Sequence, residues 1–188
     1  MSKDRLPPAQ TVGDFRLEWL DFHRATAQDR AEINHVFATT FDADIGITFN
    51  AALDKDCTSP LTYYDPDANR GAFLVVRHVA ARNAATGRAP VVGTAGLRHL
   101  PELGNTCELK RMFLLEACRG KKVGMPVVNM ILACAAAFGY DFVVLDTKKK
   151  LKAANSLYER AGFVDCENYN GNPRADRFMR RPVCRAHL

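Results

Sequence analysis

The sequence predicts an α/β fold with a mixed, mostly antiparallel central sheet flanked by helices. Three observations predict it. Strand-like and helix-like segments alternate in the order β-α-α-β-β-β-α-β-α-β-β. Two apolar runs, 71–77 and 91–97, flank an exposed polar turn and read as a hairpin. The run Phe142-Val-Val-Leu145 is apolar on both faces, which suits a strand covered on both sides of a sheet.

The elements follow in chain order. Residues 1–13 are polar with Pro7-Pro8 and read as a flexible lead-in to one domain over 14–182. Residues 15–20 alternate as a first strand. Thr26-Ala-Gln-Asp29 has a hydroxyl at the N-cap and an acid three residues on, so a helix should run from there to about Phe37. Between Asp42 and Cys57, the spacing of Ile47, Phe49 and Leu53 predicts a short second helix. Residues 58–70, with Pro60, Pro66 and Asn69, read as loop. After the hairpin, 106–114 interleaves apolar and polar residues as the central strand. Val123, Val127, Ile131, Cys134 and Phe138 share one face of a following helix. A last helix runs from about Lys149 to Ala161, with Gly162 just past its end. Phe163-Val164 and 177–181 form a final antiparallel pair, and the chain from Pro182 reads as a loose tail.

Composition narrows the function classes. Of 188 residues, 47% are hydrophobic and 25% charged, as in ordinary globular proteins. The net charge of +5 suits an anionic ligand without arguing for nucleic acid. The six cysteines contain no Cys-x-x-Cys pair and the five histidines form no ligand set, so no metal is expected. Unpatterned cysteines favour a reducing, cytoplasmic setting. The start reads as no secretory signal, and no apolar run reaches the ~20 residues that span a bilayer.

The stretch 107–125 carries the chemistry. A strand turns through Glu116, Ala117 and Cys118 into a basic, glycine-punctuated helix entry at Arg119, Gly120, Lys121, Lys122, Val123, Gly124 and Met125. The first turn of a helix has N–H groups without intrahelical partners and carries roughly half a positive charge. Phosphate fits such an end. Gly120 and Gly124 leave room for close approach, and three cations add full charge, so the segment reads as a diphosphate cradle. Pro126 costs about 3 kcal/mol inside a helix and is tolerated only in the first turn, so the helix must start late.

Glu108-Leu-Lys-Arg-Met-Phe-Leu114, a turn, then Arg119-Gly-Lys-Lys-Val-Gly124 resembles the acetyl-CoA-binding segment of the GCN5-related N-acetyltransferases (GNAT fold). Arg119 and Gly124 match the ends of that family's Gln/Arg-x-x-Gly-x-Gly/Ala signature. Lys122 stands at the middle glycine, where a helical residue with φ < 0 still offers its N–H. Ala154-Asn-Ser-Leu-Tyr-Glu-Arg-Ala-Gly-Phe163 resembles the family's Ala-x-x-Leu-Tyr-x-x-x-Gly-Phe block. Residues 140–147 resemble its fifth strand.

The resemblance implies an acetyl-CoA-dependent N-acetyltransferase with acetyl-CoA as cosubstrate and an amine acceptor as partner; whether it forms a homodimer stays open. It implies that the Met112, Phe113 and Leu114 backbone pairs with the pantetheine arm. It assigns the Met112 N–H to the thioester oxygen. Asn155 and Tyr158, three apart on one helix face, turn toward CoA, and Tyr158 is the candidate acid for the departing thiolate. Glu108 is the candidate base; it precedes Met112 by four residues and shares its face absent a bulge. Asp146, Asp42 and Asp44 are alternatives. Lys148, Lys149, Lys150 and Lys152 read as a solvated face or as contacts to the CoA 3′-phosphate. A catalytically silent CoA-binding module is the second reading. A Rossmann or P-loop protein is disfavoured, since neither glycine motif is present.

Overall fold

A computed structural model describes residues 3–41, 46 and 48–184 of the chain. The strands are β1 (Gln10–Val12), β2 (Phe15–Trp19), β3 (Ala72–His78), β4 (Val91–Leu100), β5 (Thr106–Leu114), β6 (Phe142–Thr147), β7 (Val164–Asp165) and β8 (Arg177–Pro182). The helices are α1 (Ala27–Thr39), α2 (Lys55–Thr58), α3 (Pro60–Tyr64), α4 (Gly124–Ala137) and α5 (Lys152–Arg160). The eight strands form one sheet in the order β1-β2-β3-β4-β5-β6-β8-β7. Every pairing is antiparallel except β5 with β6.

Two apolar clusters cover the sheet, one on each face. On one face, Val127, Ile131 and Cys134 of α4 meet Leu97, Cys107, Leu109, Val143 and Leu145. On the other, Ile33, Val36 and Phe37 of α1 meet Phe73, Val75 and Tyr64. The mixed sheet and the β3–β4 hairpin are as the sequence predicts. The capping box at α1 forms too. Thr26 Oγ1 accepts from the Asp29 N–H at 3.1 Å, and the Asp29 carboxylate accepts from the Thr26 N–H at 2.9 Å. The same carboxylate also binds Arg77, at 2.6 Å, and Arg88, so the helix start is tied to the sheet.

Four expectations change. The segment read as a flexible lead-in supplies edge strand β1. Leu6 and Val12 pack on the core, and the Trp19 Nε1–H donates to the Pro7 carbonyl at 2.8 Å. The second helix expected between Asp42 and Cys57 falls partly on 42–45 and 47, which lie outside the described residues. Its described part is a turn followed by the short α2. The stretch read as loop contains α3, because Pro60 is pre-organised for a first helical turn and Tyr64 is buried. The chain at Pro182 is still in β8, and the Val183 N–H donates to the Asp141 carbonyl at 2.8 Å.

Candidate active site

The site begins where the sheet opens. β5 and β6 pair at Thr106↔Phe142, Cys107↔Val143 and Glu108↔Val144, and then pair no further. Above that point β5 continues to Leu114 while β6 stays paired only with β8. A cleft of about 580 Å³ fills the gap. It passes through the sheet: Ala154, Leu157 and Tyr158 of α5 wall one side, and Thr40, Phe41, Asn172 and Arg174 wall the other. The Leu109–Leu114 edge and Arg119 run along it.

A bulge shapes that edge. The β4–β5 register slips by one between Thr94 and Gly96, so that Arg111 and Met112 together oppose Ala95. Arg111 has φ 53°, and Thr94 Oγ1–H donates to its carbonyl at 2.8 Å. Below the bulge, Cys107 and Leu109 face the α4–α5 cluster; above it, Met112 and Leu114 do. The parity has flipped, so Glu108 and Met112 lie on opposite faces, and the expected shared face is corrected.

A buried ion cluster holds the bulge. Arg111, 7% exposed, donates to Asp56 at 2.8 and 2.5 Å and to Asp54 at 3.0 Å. Tyr64 donates to Asp56 at 2.5 Å. Burial opposes ionisation of Asp56, but the Arg111 hydrogen bonds and charge outweigh it and hold its carboxyl down at about 2. A left-handed non-glycine residue costs about 1–2 kcal/mol, and these partners over-determine it.

The helix entry differs from expectation in informative ways. α4 starts at Gly124, so Pro126 falls in the first turn, where its missing N–H is one of the unpaired ones anyway. Gly120 has φ 71°. Lys122, expected at φ < 0, sits at φ 59°, a conformation glycine adopts freely and lysine does not. Gly124 also packs closely on α5, since a Cβ there would lie 3.0 Å from Leu157 Cδ2.

Tyr158 lines the cleft at 8% exposure. Burial, with the Asp146 charge adding to it, pushes its phenol well above the ordinary value. Asn155 does not line the cleft. Its Nδ2 donates to the Lys148 and Lys149 carbonyls at 3.0 and 3.2 Å, fixing the β6–α5 loop, while its buried Oδ1 has no hydrogen-bond partner among the described residues. That loop takes the place of the expected first turn, so α5 starts at Lys152 rather than Lys149; Lys152 opens the helix, and Lys148, Lys149 and Lys150 lie just before its positive end. Asp42 and Asp44 lie outside the described residues.

Glu108 is sealed away from the cleft at 0% exposure. It accepts from Arg98 Nε at 2.5 Å, the Tyr169 hydroxyl at 2.7 Å and Asn170 Nδ2 at 3.2 Å. Arg98, Tyr169 and Asn170 hold its carboxylate below the cleft. Asp146 does reach the cleft. It accepts from Lys110 Nζ at 3.2 Å and from the Asn170 and Asn172 side-chain amides at 2.8 Å each. Burial works against its charge, but Lys110 and the amides win and hold it below the usual carboxylate range.

The sequence reading missed Asn172 and Arg174. Nothing in the pattern Asn168-Tyr-Asn-Gly-Asn-Pro-Arg174 announces a site, although so dense a polar run between two strands is itself a signal of a shaped loop.

Residues 40–163 match the family model described as the acetyltransferase (GNAT) family. The chain belongs to that family. It is an acetyl-CoA-dependent acyltransferase. An uncharacterized N-acetyltransferase of Schizosaccharomyces pombe is 31% identical over 64% of this chain and 68% of its own. One of Dictyostelium discoideum is 39% identical over 37% of this chain, and the match spans only 32% of that longer relative. A phosphinothricin acetyltransferase of Sinorhizobium meliloti, solved with acetyl-CoA, superposes with a TM-score of 0.63 at 16% identity, over 90% of this chain and 89% of that one. At that identity the match speaks for the shared fold. No helix among the described residues of this acetyltransferase is long and apolar enough to cross a membrane.

The residues fit acetyl-CoA. The unpaired β5 edge and Arg119 line the cleft, and Arg119 leads through the turn at 120–123 into the α4 N-terminus at Gly124.

Proposed function

We propose that this acetyltransferase moves the acetyl group of acetyl-CoA directly to a primary amine of a small molecule, peptide or protein. The observation that carries the reading is the parting of β5 from β6, which leaves Met112 and Tyr158 on the walls of a cleft open to both faces of the sheet. The bound thioester supplies the activated acetyl group. The N–H groups of Gly120 and 122–125, with the side chains of Arg119, Lys121 and Lys122, bind the diphosphate. The β5 edge at Met112, Phe113 and Leu114 orients the pantetheine arm.

The Met112 N–H, displaced from the regular ladder by the bulge, donates to the thioester oxygen, where charge builds up. Tyr158 keeps its proton at neutral pH and delivers it to the departing sulfur. One C–N bond forms and one C–S bond breaks. An ammonium acceptor gives up two protons, the sulfur gains one, and one is released to water.

Direct transfer is supported by the cysteines near the site. Burial pushes the Cys118 thiol up to about 11 and the Cys107 thiol well above its ordinary value, so neither is an activated nucleophile. A reducing cytoplasm suits the six free cysteines. The test is thiol release from acetyl-CoA with a panel of amines. Release that depends on an amine supports the reading. Tight CoA binding with no release from any amine returns the protein to a silent CoA-binding module.

A further inference from the structure

A bulge disrupts its ladder locally, so the peptide groups there need partners of another kind. In β5 the Arg111 carbonyl takes one from a side chain: Thr94 of β4 donates to it through Oγ1 at 2.8 Å. Both residues are buried, Thr94 at 0% exposure and Arg111 at 7%. The peptide joining Arg111 to Met112 is trans, and in a trans peptide the C=O and the following N–H point in opposite directions. With its carbonyl drawn to Thr94, this unit turns the Met112 N–H away from β4. On that side β6 stops pairing with β5 after Glu108, and Met112 lines the cleft that opens there. The Arg111 side chain fixes the same unit from its other end. It donates to Asp56 at 2.8 and 2.5 Å and to Asp54 at 3.0 Å, and so holds the left-handed backbone at φ 53°.

Resting on the acetyl-transfer reading above, we infer that Thr94 is a positioning residue for that reaction: its hydroxyl holds the Arg111–Met112 peptide so that the Met112 N–H meets the thioester oxygen. Being fully buried, Thr94 acts on the reaction only through this peptide. A donor already in place needs no reorganisation when charge develops on the oxygen. Without the hydroxyl, the peptide is free to rock about its flanking bonds. Any such turn moves the N–H off the oxygen and brings the carbonyl, a dipole of the wrong sign, toward it. Valine has nearly the shape of threonine and no hydroxyl; serine keeps the hydroxyl and loses only the methyl.

Two pairs of proteins separate hydroxyl from packing: wild type against Thr94→Val, and Thr94→Ser against Thr94→Ala. Each is loaded with acetyl-CoA isotope-labelled at the thioester carbonyl. Difference infrared spectroscopy reads the carbonyl stretch, and calorimetry reads the affinity. Thiol release with propylamine, L-alanine and hydroxylamine as acceptors gives kcat and KM. In wild type and Thr94→Ser the bound carbonyl should stretch at lower frequency than in free acetyl-CoA; in Thr94→Val and Thr94→Ala it should return toward the free value. Loss of the hydroxyl should lower kcat about ten- to a hundredfold for each acceptor used, part of what a whole oxyanion donor carries, while acetyl-CoA affinity and acceptor KM stay within about threefold. If the buried valine prevents folding, the serine–alanine pair carries the same comparison. A stretch not lowered in wild type, a hydroxyl-free variant that keeps the wild-type kcat and stretch, or Thr94→Ser falling as far as Thr94→Ala would overturn the inference alone. No calorimetric signal with acetyl-CoA, or binding without thiol release from any of the amines, would instead bring down the reading beneath it.

Discussion

Replacing Lys122 by glycine should stabilise the protein. Lys122 holds φ 59° at the middle position of the turn between Gly120 and Gly124. A left-handed L-residue costs roughly 1–2 kcal/mol. Glycine removes that strain but has about 0.5–1 kcal/mol more backbone freedom to lose on folding. The balance is a gain of about 0.7 kcal/mol, or ~2 °C in Tm for a domain of this size. Lys122 is exposed, so no packing term intervenes. Lys122→Ala is the control: it removes the charge and keeps the strained backbone. Thermal unfolding without ligand should rank Lys122→Gly above wild type and Lys122→Ala at or below it. Acetyl-CoA affinity separates a second effect, since both variants lose one cation near the diphosphate and should weaken binding equally. A Lys122→Gly protein less stable than Lys122→Ala would refute the assigned conformation.

Four further outcomes follow. Tyr158→Phe should lower kcat by about a hundredfold, within the usual range for a lost acid, with acetyl-CoA binding by calorimetry unchanged. Because burial raises the phenol and the protonated form is the active one, wild-type activity should show no alkaline loss from Tyr158 near the ordinary phenol pKa of about 10. Glu108→Gln should keep kcat within tenfold of wild type while lowering stability by about 2–3 kcal/mol in urea, since it leaves the Arg98 guanidinium without its anion; a hundredfold fall in kcat at unchanged stability would instead assign Glu108 as the base. Acid should unfold the protein partly through Asp56. Its folded pKa of about 2 lies below the unfolded value, so its contribution of roughly 2 kcal/mol is complete above pH 5 and lost as pH falls from 4 toward 2. Urea midpoints over that window should fall more steeply in wild type than in Asp56→Asn.

What the sequence made legible was periodic or capped. The α1 capping box, the apolar stripe of α4 and the two-sided β6 are each written in local patterns with a single physical solution. Pro126 even set the start of α4, because only the first turn tolerates it. The misses were set by distant partners. Strand alternation joined Glu108 to Met112, and one inserted residue at Arg111 undid it. That bulge is held by Asp54 and Asp56, more than fifty residues earlier in the chain. Lys122 kept the backbone of a glycine without its sequence signal. The β7–β8 loop became part of the site only through contacts to Glu108, Asp146 and Asp54 that no spacing rule anticipates.

The central claim is that acetyl-CoA lies where β5 and β6 separate, with its diphosphate at the amides after Arg119. Amide hydrogen exchange with and without acetyl-CoA measures this directly. New protection is expected at 112–114 and 120–125, with little change in β1, β2 or β7. Binding that left both segments exchanging as before, or that protected a different surface, would contradict it.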